Sequence, residues 1–281
     1  MIKKKGAMVL IAVLVAALAV WILWANKALT VTEYQISNPK IPEGFNGFRI
    51  VQISDLHNDS FGKGNCKLLD SLRGIGPDMI VITGDLVDSR RTDYDIGLDF
   101  AHRALDIAPV YYVPGNHESR LAGYEGFKSE LINSGVTVLD NRKISLERGT
   151  DRITLMGVND PNFWNDMPFV EDGEIIYEAV SQLQETSDGY TVLLSHRPEL
   201  LDAYARTGVD LVFSGHAHGG QFRIPFVGGV FAPDQGLFPK YDAGRHTQGN
   251  TTLIVSRGLG ASIIPLRLNN RPEIVVATLN P

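Results

Sequence analysis

Cysteine is almost missing from this chain: its 281 residues include one, Cys66, so no intramolecular disulfide and no cysteine-built zinc site is available. Any bound metal must therefore be held by His, Asp, Glu or Asn. Positive charge is also in short supply, with 26 Lys and Arg against 32 Asp and Glu and a formal net charge of −6. Without a basic face, no binding to a nucleic acid duplex is expected. Short-period repeats are missing as well, although there are 28 Gly and 14 Pro, which excludes a collagen-like or low-complexity chain. What remains, 44% hydrophobic and 21% charged, is enough for a large folded domain with a proper core.

Long apolar runs are confined to the N-terminus. Lys3, Lys4 and Lys5 precede an uncharged stretch over residues 6–25 rich in Val, Leu, Ala, Ile and Trp. From Ala7 to Ala25 a helix would reach about 28 Å, close to the ~30 Å hydrocarbon core, and Trp21 and Trp24 would sit at an interface. Ala17-Leu18-Ala19 resembles a signal-peptidase site, but apolar Val20-Trp21-Ile22-Leu23-Trp24 follows it in place of a polar mature start. The expectation is an uncleaved, single-pass transmembrane signal-anchor over residues 1–28. The lysines would stay cytoplasmic, and a domain of residues 29–281 would lie outside the cytoplasm. Setting aside Lys3, Lys4, Lys5 and Lys27 leaves 22 basic against 32 acidic residues, so charge alone would not draw that domain to anionic lipid.

Hydrophobic patterning beyond residue 28 alternates strands and helices. Leu29–Ile36 reads as a strand before the turn-rich residues 38–44, and Arg49–Ser54, Met79–Thr83 and Val110–Val113 read as buried strands. Between them, Leu68, Leu69 and Leu72 share one helical face, as do Leu98, Ala101 and Leu105, which makes successive βαβ units. A helix over Tyr124–Asn133 and short strands near residues 136–139, 143–146 and 152–157 follow. Further elements are helices near 175–183 and 198–206 and strands at 190–194, 211–213, 252–256 and 273–279. This is an α/β chain of mixed sheets covered by helices, with no linker dividing residues 45–281.

A polar cluster of metal-ligand type follows each core strand at once. These are Asp55-Leu-His57, Gly84-Asp85-Leu-Val-Asp88, Gly115-Asn116-His117-Glu118, Ser195-His196 and Gly215-His216-Ala-His218. Asp55 to Asp85 is 30 residues and Asp85 to Asn116 is 31, one crossover each, which sets the three side by side at the carboxyl edge of a sheet. Any one cluster alone is an ordinary turn or cap. Five of the seven histidines, however, occupy such clusters, leaving His102 and His246 elsewhere. Two divalent ions ~3.5–4 Å apart need a bridging carboxylate and neutral N or O ligands around it, and Asp85 is the natural bridge. In Asp55-x-His57, residues i and i+2 of an extended strand end point the same way and reach one ion, and His216-x-His218 repeats the pattern from the far side. An all-N/O set suits Mn first, with Fe, Zn or Co also open.

In this order the motifs resemble the full set of the calcineurin-like metallophosphoesterases over roughly residues 48–220. The resemblance implies a four-layer α/β/β/α sandwich of two mixed sheets with two metals at the loops between them. It also implies that Asp55, His57, Asp85 and His218 hold one metal and Asp85, Asn116, His196 and His216 the other. His117 would be a non-ligand catalytic histidine oriented by Asp88, and Glu118 would match the motif without a ligand role. The family's phosphatase branch has Asp-Arg-Gly after the second motif; here Asp88-Ser89-Arg90-Arg91 displaces the arginine by one residue, which puts a phosphate-clamping role for Arg90 in doubt. Residues 219–225, 256–260 and 271–274 look like the membrane-anchored bacterial branch, which includes phosphodiesterases and pyrophosphatases of diacylated UDP-sugar lipids.

The expected activity is thus dimetal-dependent hydrolysis of a phosphodiester or pyrophosphate at the outer membrane face, with a lipid-linked substrate among the candidates and no residue assigned to substrate binding. The rivals are a non-catalytic, metal-stabilised cell-envelope module, disfavoured by His117 and Asp88, and a phosphomonoesterase or protein phosphatase, disfavoured by the displaced arginine. Phe163 and Trp164, with Phe222, Phe226, Phe231, Phe238 and Tyr241 in the long stretch 221–246, are expected to pack that loop onto the sheet in preference to forming an apolar wall beside the metals. Cys66 is read as a small core residue. His246 as an outer support of the site and Arg257 as an anion contact are weaker candidates.

Overall fold

The computed structural model describes residues 2–164, 169–261 and 266–281. A helix, α1 (Ile2–Ala25), leads into β1 (Thr30–Ser37) and then the alternation β2 (Arg49–Ile53), α2 (Cys66–Ile75), β3 (Met79–Thr83), α3 (Tyr94–Ala104), β4 (Val110–Val113), α4 (Tyr124–Ser134) and β5 (Thr137–Val138). The second half runs through β6 (Arg142–Arg148), β7 (Asp151–Gly157), α5 (Asp172–Gln184), β8 (Thr191–Leu194), α6 (Leu201–Thr207) and β9 (Leu211–Ser214). Two small hairpins follow, β10 (Arg223–Ile224) with β11 (Gly228–Gly229), and β12 (Phe231–Ala232) with β13 (Gly236–Leu237). The chain closes with β14 (Gly244–Gln248), β15 (Thr251–Val255) and β16 (Glu273–Asn280).

Two six-stranded mixed sheets result, ordered β1-β16-β2-β3-β4-β5 and β14-β15-β9-β8-β7-β6. The central strands read as unbroken apolar runs because both faces are covered. Met79 and Val81 point between the sheets, where they meet Leu155, Leu194 and Phe213, while Ile80 and Ile82 point outward onto Leu68, Leu72 and Phe100 of α2 and α3. On the far side Leu193, Val212 and Leu253 pack against Ile176, Val180 and Tyr204 of α5 and α6. Three apolar layers between four structural layers give the expected α/β/β/α sandwich. β2, β3 and β4 are mutually parallel, as are β7, β8, β9 and β15, so the loops after β2, β3, β4, β8 and β9 supply the polar clusters. Gln52 links the sheets beneath these loops, donating to Thr83 Oγ1 and the Ser214 carbonyl, both at 2.9 Å.

The expected membrane placement is corrected. Residues 2–25 do form one helix, but among the described residues no helix is long and apolar enough to cross a membrane. The last turn is also engaged by the rest of the fold. Ala25 is buried, the Arg271 guanidinium lies 5.2 Å over the Trp24 ring, and Asn26 exchanges hydrogen bonds of 3.0 and 2.7 Å with the Arg267 backbone. The side chains of Lys3, Lys4 and Lys5, which carried the orientation, lie outside the described residues.

Candidate metal centre

The functional side chains are held by strained turns stitched to one another. Asp55, His57, Asp85, His216 and His218 all have positive φ, between 48° and 63°, a region that costs a non-glycine residue roughly 1 kcal/mol or more. Backbone pairing across the loops sustains it: Asp55 N–H donates to Gly84 O, His57 N–H to Asp85 O, and Gly215 N–H to His196 O, each at 3.0 Å. Glu118, fully buried, is the bolt. Its Oε2 accepts from the N–H groups of Asp85 and Gly115 at 2.8 Å, and its Oε1 from that of Val87 at 3.0 Å. Burial and then the Asp85 charge push the Glu118 carboxyl up to about 7, against these three donors. Gly215 admits no side chain, since a Cβ there would fall 1.9 Å from Ser54 Oγ and 2.3 Å from Asp55 Oδ2.

The turns gather two donor groups, each with one ligand atom per residue and all atoms within 4.8 Å of one another: Asp55, His57 and His218, and Asp85, His196 and His216. Asp85 stands between them, its Oδ2 3.4 Å from His57 Nε2 and 3.3 Å from His196 Nε2. Asn116 joins the second group, with Oδ1 3.2 Å from His196 Nε2. The i, i+2 expectation is therefore revised. Asp55 and His57 share a group, but they lie on a turn of left-handed backbone beyond the end of β2, and His216 and His218 fall into different groups.

A pair of divalent cations fits this donor set. His196 Nδ1 is 2.8 Å from the Thr83 carbonyl, which can only accept, so Nε2 presents its electron pair towards Asp85, Asn116 and His216 Nδ1, the last at 3.2 Å. Acceptors facing acceptors need a positive centre between them. The titration shifts split: burial lowers His57 to about 3, whereas at His196 burial is outweighed by the Asp85 and Asp55 charges, which raise it to about 10, so that without a cation a proton on Nε2 takes the place of the positive centre. Burial raises Asp55, while for Asp85 burial is overcome by the neighbouring imidazoles, His196 foremost, and its pKa is well below the usual range.

His117 lies beside these groups, its ring centroid 4.5 Å from that of His57. The Ser89 N–H donates to its Nδ1 at 3.0 Å, which puts the proton of the neutral ring on Nε2. Asp88 is farther, 3.4 Å from Nδ1, and its oxygens accept from Arg90 N–H, Nε and Nη2 and from Arg91 Nη2, so it holds the turn that carries Ser89. Despite its displacement in sequence, Arg90 lines the same cavity as His117, about 230 Å³ in volume.

Two supports were not visible in the sequence reading. Asp234, between β12 and β13, sits 2.9 Å from His216 Nε2 and accepts at 2.8 Å from Arg197, which is itself paired with buried Asp160 at 2.7 and 3.0 Å. Arg267, buried, stands 3.3 Å from His218 Nδ1 and otherwise donates to the carbonyls of Arg257 and Gly260. A lone acid in a loop and an arginine near the C-terminus carry no spacing signal that marks them. The remaining candidates lie apart from the donor groups. His246 bonds the Ala243 carbonyl, Arg257 pairs with Glu273, and half-buried Phe163 and Trp164 pack on the two outer cores. Cys66 is half-buried at the start of α2. The packing expectation holds for half-buried Phe222 and Tyr241, but Phe226, Phe231 and Phe238 are exposed, on the turns and short strands of the two hairpins.

The model of the calcineurin-like phosphoesterase family matches residues 48–220. The metallophosphoesterase YkuE of Bacillus subtilis is 33% identical over 88% of this chain and 84% of its own length, and the phosphodiesterase YaeI of Escherichia coli is 30% identical over 83% and 82%. A zebrafish (Danio rerio) transmembrane protein with a metallophosphoesterase domain is 28% identical over 95% of this chain and 61% of its own length. Among solved structures, TT1561 of Thermus thermophilus shares the fold, with a TM-score of 0.53 at 14% identity over 76% of this chain and 91% of its own.

Proposed function

Since this chain belongs to the calcineurin-like phosphoesterase family and is a metal-dependent phosphoric ester hydrolase, we propose that it cleaves phosphodiesters or pyrophosphates, with residues 29–281 as the catalytic unit. The family uses a dinuclear metal centre. Asp55, His57 and His218 would hold one ion and Asn116, His196 and His216 the other, with Asp85 standing between them as a shared carboxylate and Mn²⁺ the first choice for an all-N/O set. When bound, two such cations polarise a phosphoryl oxygen and acidify the attacking water.

The chain's own residues do the rest. The P–O bond to the leaving group breaks as the new one to water forms, the proton lost by the water passes to solvent and solvent returns one to the departing oxygen, while neutral His117 steadies that oxygen with a hydrogen bond from Nε2–H. Its neutral tautomer is suited to this because Ser89 occupies Nδ1. Burial lowers the His117 pKa, which favours the neutral ring that carries this donor. Asp234 accepts a hydrogen bond from His216 Nε2–H, leaving Nδ1 to ligate.

The observation that carries a diester over a monoester is that the donor groups lie between two cavities, about 390 and 230 Å³, the larger walled in part by His57 and the smaller by Asp85, His117, His216 and His218. A phosphorus between them has room for an ester arm on each side. A second reading, a substrate with an apolar tail, is favoured by exposed Phe231 and Leu237 on the hairpin that brings Asp234 to the site. The test is hydrolysis by the Mn²⁺-loaded full chain of an aryl phosphodiester beside the matching monoester. Faster turnover of the diester is expected; preference for the monoester overturns the reading.

A further inference from the structure

Arg90 and Arg91 are neighbours in the chain, and both pair with the same oxygen of buried Asp88, at 3.0 and 3.2 Å. They then diverge, Arg90 to the smaller cavity beside His117 and Arg91 to the larger one beside His57. Each guanidinium is fastened along one edge, and the Arg91 side chain stays 65% exposed, which leaves donors free. Asn58 holds that turn, donating at 2.6 Å to the Arg91 carbonyl. Lys27, just past the end of α1, comes to the same cavity.

The charges around this cavity do not cancel. Lys27, Arg91 and Arg267 face two carboxylates, Asp59 and Asp93. Asp59 is already paired with Lys27 and accepts the Ser60 N–H at 2.8 Å, while Asp93 caps α3 by accepting the Asp95 N–H at 3.1 Å. Arg267 is taken up by carbonyls. One positive charge is left over, and Arg91, bound to Asp88 through Nη2 alone, carries free donors beside the apolar side chains of Ile96 and Leu259, which lower the local dielectric and strengthen any ion pair formed there.

Resting on the diester reading above, we propose that this larger cavity binds a second phosphate carried on one arm of the substrate, with Arg91 as the principal contact and Lys27 as its companion. A planar guanidinium with a free edge suits a phosphate oxygen pair, and the ammonium supplies a point charge that can turn from Asp59 to the ligand. The two cavities then have different tasks. The smaller takes the arm whose departing oxygen His117 hydrogen-bonds, and the larger recognises the arm that stays with phosphorus.

A matched pair of substrates tests this: 4-nitrophenyl 2-phosphoethyl phosphate and 4-nitrophenyl 2-hydroxyethyl phosphate, which differ by the second phosphate alone. The Mn²⁺-loaded full chain should show a KM roughly tenfold lower for the phosphate-bearing member, and Arg91→Ala should bring the ratio of the two KM values close to one, with Lys27→Ala and Arg91→Lys in between. Equal KM values in the unaltered protein, or a ratio that Arg91→Ala leaves intact, overturn the proposal. If neither diester is hydrolysed, the diester reading fails separately. Calorimetric titration with the two methylphosphonate analogues, in which methyl replaces the nitrophenoxy group, still decides whether the cavity prefers the second phosphate.

Discussion

The two halves of the imidazole and carboxylate cluster offer the same kinds of donor but are backed differently. Behind His196 stands the Thr83 carbonyl and behind His216 the Asp234 carboxylate, both acceptors that hold a proton on the far nitrogen and push electron density towards the site. Behind His57 there is nothing: among the described residues its Nδ1 is buried without a hydrogen-bond partner. Behind His218 stands a cation, Arg267, which together with burial and the neighbouring His57 holds that ring well below the usual imidazole range. The Asp55 half makes up for this with a second carboxylate next to Asp85. Equivalent positions in a sequence motif are thus not equivalent ligands, since an imidazole's strength is set by what lies behind it.

The largest effect expected from breaking this comparison is at the one residue common to both halves. Asp85→Asn should reduce both ions bound and lower turnover by about 10³-fold or more, because an amide bridges two cations poorly. Metal content by elemental analysis beside turnover decides it, and a variant that keeps both ions and near-normal rates removes Asp85 from the bridge.

His117 belongs to neither half. Replacing it with Ala should leave two ions bound while kcat falls by roughly 10²–10⁴. The loss should shrink for nitrophenyl leaving groups, whose departing oxygen carries less charge. An equal loss across a leaving-group series would mean that His117 does not act on the departing oxygen. Asp88→Asn should give a milder version of the same pattern, since Asp88 acts through the Ser89 turn.

Asp234 sharpens the comparison, because it supports one half only. Asp234→Asn should weaken one of the two ions by about 10–100-fold and spare the other, read as a biphasic release to a chelator. Uniform loss of both would mean that the halves are coupled through the hairpin.

The smallest effect is on acid stability. The His216 hydrogen bond foremost, with Arg197, depresses Asp234 to about 2 from an ordinary 3.8. A carboxyl depressed on folding adds stability above 3.8 that is lost as pH falls through about 2. In the metal-free protein, urea midpoints of the parent and Asp234→Asn should therefore differ above pH 4 and converge towards pH 2. Parallel curves would show that Asp234 is not ionised in this contact.

Much of this was legible before any coordinates. Met79–Thr83 and Val110–Val113 were bounded to the residue because each is an apolar run closed by a turn signal, and the polar clusters marked where those strands end. The short strands β10 to β13 left little pattern, since two-residue pairings and exposed aromatics do not alternate. The apolar run at the N-terminus was read correctly as a helix and wrongly as a span. Hydropathy does not reveal that its last turn docks on Arg267 and Arg271.

The sequence by itself determined the layers and the donors: residue periodicity sets which strands are buried on two faces, and crossover length sets which loops lie side by side. Tertiary structure alone decided how the donors divide and what backs them. His216 and His218 part company into different groups, Glu118 becomes a bolt between turns, and Asp234 and Arg267 arrive from segments with no motif of their own. Spacing is a local property that a chain can display, whereas the charge behind an imidazole is contributed by whichever segment packs there, and that depends on the whole fold.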